Sequence, residues 1–398
     1  MCPPIVSCSR IVTFFGVLIA LLSTTSVANA QCPGTIVTDG LYRPNKLLQT
    51  TSGNLIVAES GIAAPNSGRI SIVGLDGTRR TLLDGLPSGR NAKGDYVGTQ
   101  GIFLSGSTLY VLNGEGDSTV AGPVQGTELP NPAPSSPLNS SVLVVHLTGA
   151  VEKITNGLQL TYADQQALKN GQTVNNSDDS LSVGLLVDLP DFTPDALPAL
   201  AQNVRASEPS GIVGIRSELF ISDAGLNAIL KVDASTGAVS VLTTFASIAN
   251  PTSLGPSTID ASPSSVHELD GDLLVTLFRG YPYVPGNSSV ARVNRKTGAI
   301  TTYMSGLTSL ADVFTVKFKG WTAVFTLESS TDLLSNQPGR LQRFTTAALA
   351  GVPISTCLNR PGGIIRDERT GTLYITETTG RIIQIQGVDL IPVQKGLI

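Results

Sequence analysis

Six short apolar runs recur along the chain, at residues 55–59, 109–113, 219–223, 273–277, 324–328 and 373–377, most of them ending in or beside a carboxylate or amide. Successive starts lie 54, 110, 54, 51 and 49 residues apart. A period of roughly 40–50 residues with several short strands per unit is the signature of a β-propeller. The repeat therefore predicts an all-β fold, a six-bladed β-propeller, and it fixes where the loops, channel and chain ends must lie.

Each unit carries strand-like segments in which Ile, Val and Leu alternate with polar residues, separated by glycine-bearing turns such as Asp76-Gly77 and Lys296-Thr297-Gly298. In the first unit these segments fall at 46–50, 54–58, 69–73 and 78–83. Third strands are expected at 141–147, 227–232, 288–293, 340–344 and 381–385, and fourth strands at 151–155, 238–243, 299–304 and 353–357. The last unit has no fourth segment of comparable quality. Residues 34–41 match the fourth strands in pattern, so the N-terminal strand is expected to complete the last blade and close the ring. The long gap before residue 219 could house a seventh blade. Against this, 161–170 and 194–202 read as polar helices and only 181–189 resembles a strand.

Residues 1–30 read as a secretory signal peptide, with Arg10 as the single charge, an apolar stretch over 11–22 and the small-x-small site Ala28-Asn29-Ala30. The rest, 31–398, reads as one propeller domain, and no stretch is long enough for a membrane span. Secretion, extracellular or periplasmic, would leave two of the four cysteines, Cys32 and Cys357, in an oxidising compartment. Both lie near the seam between the last two blades, and a disulfide is expected. Sequons at Asn139, Asn175 and Asn287 make a glycoprotein conceivable in a eukaryotic host. The net charge of −4, with 14% charged residues, provides no basic stripe for nucleic acid.

An antiparallel blade sends its 2–3 turns and its links to the next blade to one face. Here those segments are the long ones: 59–68, 113–140, 277–287, 328–339 and the insertion 159–207, which is expected to act as a lid outside the blades. Aligning the first strands places Asn45, Gln100, Ser210, Ser264, Ala311 and Gly362 around the channel entrance, with Asp312 as its one carboxylate and Glu208 just outside. Calcium or zinc needs several convergent donors, which this ring does not supply. No metal and no cofactor are expected, and a metal-dependent lactonase-like hydrolase is disfavoured.

The polar residues ending the second strands accept hydrogen bonds from following backbone in the bland reading. Glu59 and Glu328, which open into longer loops, are the exceptions singled out as ligand-binding candidates. His267, at an otherwise apolar position, reads as core, and two histidines give a catalytic triad little to draw on. The most distinctive loop is 278–286, where Arg279, Tyr281 and Tyr283 stand among prolines and suit stacking on a planar ligand. The candidate ligand-binding set is thus Glu59, Arg279, Tyr281, Tyr283, Asp312 and Glu328.

Gly40-Leu41-Tyr42-Arg43-Pro44 followed by residues 53–61 resembles the opening of the ScyD/ScyE family, named from scytonemin biosynthesis. So do Glu208-Pro209-Ser210-Gly211 with residues 219–225, and the Gly280-Tyr281-Pro282 to Pro285-Gly286 loop. The chain departs from that pattern at Asn45-Lys46, where the family favours Arg-Gly, and in its longer 113–140 and 159–208 segments. The resemblance implies a secreted propeller of a secondary-metabolite pathway and supplies no catalytic residues. The functional expectation is metal-independent binding or conversion of a small apolar or aromatic metabolite on the loop face. The alternative is a non-enzymatic propeller whose loop face docks a secreted protein or a glycan.

Overall fold

The computed structural model describes residues 32–62, 64–318, 321–345 and 351–388. The signal peptide expected over 1–30 lies outside them. Six antiparallel sheets form the blades of a propeller. Their innermost strands, Pro44–Gln49, Thr99–Ser105, Pro209–Ile215, Pro263–Leu269, Leu310–Phe318 and Pro361–Arg366, each touch the next, and the last touches the first, so the ring is closed. The outermost strand of blade 6 is Thr35–Thr38, which pairs antiparallel with Arg381–Ile385.

The second strands explain why the repeat is so visible. Leu55–Glu59 and Leu373–Glu377 are buried at every position, and Glu218–Asp223, Asp272–Leu277 and Trp321–Glu328 at nearly every one. A strand buried on both faces cannot alternate, so it reads as an unbroken apolar run. Fourth strands such as Val239–Thr244 and Ile300–Leu307 are largely exposed and carry a weaker signal. The buried apolar side chains fall into six clusters, each filling the wedge between two neighbouring blades. Phe220 and Phe325, both fully buried, anchor two of these wedges. Each such side chain contributes about 1.5–3 kcal/mol.

Cys32 and Cys357 form a disulfide, with Cα atoms 5.6 Å apart. It ties the segment before Thr35–Thr38 to the outer strand of blade 5, Val352–Leu358.

The insertion after blade 2 differs from the expected lid. The fourth strand of blade 2 is Leu181–Asp188, paired along Ser141–Leu147. Residues 151–155, expected there, instead hold the short 3-10 turn Val151–Lys153. Leu158–Gln159 adds to the edge of blade 1 in parallel with Arg79–Leu86. The helix Tyr162–Lys169, started by a Thr161/Asp164 capping box, buries Leu168 in the wedge between blades 1 and 2. Its Gln165 donates to Gly85 O (2.7 Å) and accepts from Ser136 Oγ (2.7 Å). Gly85 has φ +72°, and a Cβ there would lie 2.1 Å from Leu160 O, so the close approach needs glycine. The insertion up to Asp188 is thus built into blades 1 and 2, because Leu168, Leu181 and Val183 supply the apolar surface that a lid would lack. The expected helix over 194–202 is also absent; Phe192–Pro194 and Val204–Ala206 form a hairpin on the loop face.

Candidate functional site

The register of every first strand breaks at one equivalent place, between Pro44/Leu47, Thr99/Gly101, Pro209/Gly211, Pro263/Ser265, Leu310/Asp312 and Pro361/Gly363. These bulges contain the ring residues aligned from sequence, and bulges re-aim side chains at the rims of closed β-structures. Ser210 Oγ donates to Pro263 O (3.0 Å) and Ser264 Oγ to Leu310 O (2.8 Å), each reaching into the next blade.

The ring is divided into two unlike halves. On the side of blades 5, 6 and 1, Lys46 Nζ donates to Ala311 O (3.0 Å) and Gly362 O (2.9 Å) and sits 3.1 Å from Asp312 Oδ2. The other carboxylate oxygen lies 2.6 Å from His267 Nε2. Burial disfavours the Asp312 charge, but the Lys46 ammonium and His267 outweigh it and hold this carboxyl far below the usual carboxylate range. His267 is therefore a partner of Asp312 and not the core residue expected. On the side of blades 2, 3 and 4, a cavity of about 540 Å³ opens, with Gln100, Ser210 and Ser264 on its floor.

Four separate segments wall this cavity. The hairpin Gly89–Arg90/Tyr96–Val97 brings Asn91, Lys93 and Asp95, the turn held by Asn91 Oδ1 accepting from the amides of Lys93 (3.1 Å) and Asp95 (2.8 Å). The loop after blade 2's second strand brings Glu115, 1% exposed, whose Oε1 accepts from Asn91 Nδ2 (2.5 Å). The hairpin of the insertion supplies Asp195 and Arg205, whose guanidinium donates to Gly225 O (3.0 Å) and Asp260 (3.1 Å). Phe278, Tyr281 and Tyr283 form the fourth wall, with edge-to-face rings 5.9 Å (Tyr281/Tyr283) and 6.1 Å (Phe278/Tyr283) apart.

Charge is unevenly set within these walls. Lys93 keeps about half of its side chain accessible and is ion-paired with Glu208; the partial enclosure that would discharge its ammonium is outweighed by Glu208 and Glu115, so it stays protonated. Burial first, then repulsion from Glu208, raises the Glu115 carboxyl well above its ordinary value. Burial, then Asp95, likewise raises the Tyr283 hydroxyl. The cavity thus offers a carboxylic acid, an ion pair, exposed carboxylates and an aromatic wall. Hydrogen bonding, stacking and proton donation by Glu115 are within its chemical reach.

Of the six candidates, Tyr281 and Tyr283 line the cavity. Arg279 does not; its guanidinium turns away to Ala246 O (3.4 Å). Asp312 is 2% exposed and committed to Lys46 and His267. Glu59 and Glu328 are corrected outright, both being fully buried. Glu59 binds Arg69 (2.9 and 3.0 Å), Ser71 Oγ and the amide of Tyr42; Glu328 binds Arg340 (2.6 Å) and the amide of Thr308 (2.9 Å). Each carboxylate latches the linker entering its blade to the arginine directly across on the third strand, leaving no face for a ligand. Of the sequons, Asn139 is 1% exposed and its amide points at Asp117, so the folded chain has no room for a glycan there. Asn175 is exposed and Asn287 half-buried.

The residues missed from sequence are Glu115, Lys93, Arg205 and Asp260. Glu115 stands two residues beyond Asn113, at the mouth of the longest loop of that face, which is the one signal that could have raised it. Among the described residues no group of three or more His, Cys, Asp and Glu side chains is placed to share a metal ion, and no helix is long and apolar enough to cross a membrane.

No protein-family model matches the sequence, and no curated protein is significantly similar to it. Several solved structures are similar to it over most of its length. The PQQ-bound aldose sugar dehydrogenase from Streptomyces coelicolor is 13% identical, with a TM-score of 0.46 over 89% of this chain and 97% of that one. An auxiliary nutrient binding protein from Bacteroides thetaiotaomicron is 10% identical, with a TM-score of 0.46 over 87% of this chain and 69% of that one. A chain of the nidogen/laminin complex is 9% identical, with a TM-score of 0.39 over 81% of this chain and 92% of that one. The chain is, on its own sheets and on the closed ring of their innermost strands, a six-bladed β-propeller.

Proposed function

We propose that this chain is a ligand-binding propeller that holds one small ring-bearing molecule in the cavity between blades 2, 3 and 4. The observation that carries this reading is the walled space itself: about 540 Å³, with Tyr281 and Tyr283 on one side and Glu115, Lys93 and Glu208 on the other. That volume lies within the usual range of small-molecule sites, roughly 300–1,000 Å³. A recessed site of this kind favours a small molecule over a docked protein or glycan, for which a flat polar top would serve. The walls are more polar than an apolar metabolite requires, so the ligand is a ring with polar edges, stacked on the tyrosines. Turnover without a metal, if the protein is an enzyme, falls to Glu115 as acid and to the Glu208–Lys93 pair for orientation. The disulfide suits a secreted protein, and the resemblance to the ScyD/ScyE family suits a role in secondary metabolism.

The test is a thermal-shift screen of polar aromatic metabolites, followed by titration of hits against Tyr281→Ala. Tyr281 is 42% exposed, so the variant should fold with unchanged stability. It should bind about tenfold more weakly, the loss of one aromatic contact. Unchanged affinity in Tyr281→Ala, or a screen in which only proteins or glycans bind, overturns the proposal.

A further inference from the structure

Resting on the reading of the cavity as a small-molecule site, we infer that its ligand is a cation, an aromatic compound bearing a protonated amine. Six carboxyl groups line the space: Asp95, Glu115, Glu128, Asp195, Glu208 and Asp260. Two cations oppose them, Lys93 and Arg205, and both are already engaged, Lys93 with Glu208 and Arg205 with Asp195 (3.6 Å) and Asp260 (3.1 Å). The lining sets six acidic groups against two basic ones, and the excess stays acidic even with Glu115, whose carboxyl is raised by burial, left out of the count. The deficit is therefore local, and a walled cavity focuses such a field on its contents.

Two further features point the same way. Glu115 is 1% exposed and lines the cavity, and a single side-chain donor, Asn91 Nδ2, reaches its carboxyl among the described residues. Asp95 lies exposed at the rim facing Tyr283, and its carboxylate has no ion-pair partner among the described residues. The aromatic wall adds ring faces, which attract cations and repel anions. A sugar would use the carboxylates as acceptors but would leave the charge surplus uncompensated. An anion would meet it as repulsion.

The same geometry couples binding to a proton. Burial, then Glu208, raises the Glu115 carboxyl and so favours its protonated form. An ammonium seated between Glu115, Glu208 and Asp95 favours the ionised form, so binding shifts Glu115 toward proton release. Lys93, Glu128, Asp195, Arg205, Asp260, Tyr281 and Tyr283 are the other titratable groups lining this space; the Lys93 ammonium and the Tyr283 hydroxyl are both shifted toward holding their protons.

The experiment is calorimetric titration of the purified, disulfide-bonded chain at pH 7 with three probes of one shape: phenethylamine, phenethyl alcohol and phenylacetate. The ammonium should bind at least about tenfold more tightly than the alcohol, and phenylacetate should not bind. Its affinity should fall with salt, as expected for charge attraction. Asp95→Asn should weaken the amine about threefold to tenfold, and Lys93→Met should strengthen it; both sites are exposed, so the variants should fold. Heats measured in buffers of different ionisation enthalpy should show proton release that is lost in Glu115→Gln. Equal binding of amine and alcohol, or tighter binding of phenylacetate, overturns the inference and leaves the small-molecule reading standing. Absence of binding by all three, with no other small molecule binding in the screen, overturns both.

Discussion

Carboxylates do opposite work in two regions of this molecule. At the ends of the second strands, Glu59, Asp223, Glu328 and Glu377 are buried and fully engaged, each accepting from the amides of an incoming linker or from an arginine across the strand. Around the cavity, Asp95, Glu115 and Glu208 converge from three separate segments with fewer partners than they could hold. The first set satisfies its charge inside one blade; the second leaves it for something else to satisfy. Burial alone does not separate them, since Glu115 is as buried as Glu377. The number of donors aimed at the carboxylate does.

That contrast can be broken by removing members of the first set and asking whether only stability moves. Glu328→Ala leaves Arg340 half-buried without its partner and strands the amide of Thr308. Breaking a buried pair from one side costs about 3–5 kcal/mol, read as a lower denaturant midpoint. A loss under about 1 kcal/mol would show that the latch is ornamental. Asp312→Asn comes next, at about 2–4 kcal/mol near neutral pH, because Lys46 loses its charge partner in the channel. Here the sign of the pH dependence is a second check. A carboxyl held below its unfolded value, near 4, gives stability that is complete above that value and is lost as pH falls through the folded one. The gap between parent and Asp312→Asn should therefore close on acidification below about pH 4; a gap constant down to pH 2 would refute the ion-pair account.

The smallest effect sharpens the comparison from the other side. Asp191, between blade 2 and the hairpin over the cavity, has a buried Oδ1 with no hydrogen-bond partner among the described residues. Burial, then repulsion from Asp188, raises its carboxyl to about 6. The unfolded chain ionises first, so this group costs stability as pH rises from about 4 to 6, and the cost persists above. Asp191→Asn should stabilise the chain by about 1–2 kcal/mol at pH 7, after allowance for partial solvent screening, and by nothing at pH 4. A variant equally stabilised at both pH values would mean that the asparagine gains a hydrogen bond and that charge is not the cause.

Legibility in the sequence follows the same division. The six runs were readable because a second strand lies between two neighbouring blades and must be apolar on both faces. The fourth strand of blade 2 was misplaced because Val151-Glu152-Lys153-Ile154 imitates strand alternation, while Leu181–Asp188 stands beyond a helix that separates it from its pairing partner. Tyr281 and Tyr283 were legible as aromatics fixed among prolines in one short segment. Glu115 was not, because its character comes from Asn91, Lys93 and Glu208, which only the closed ring brings to its side. Local spacing carries scaffold; convergence across blades carries chemistry.

The pairing of Thr35–Thr38 with Arg381–Ile385 has a consequence in time. A ribosome delivers the first of these strands at the start of the domain and the second at its end. At about 5–20 residues per second, tens of seconds separate them. Through that interval Val37, which packs between blades 6 and 1, lacks the blade 6 side of its packing, Tyr374 and Ile382, and the growing fan of blades has two unpaired flanks. Completion of the last blade is thus a deadline set by synthesis, and the newborn chain is at its most adhesive just before its final strand arrives.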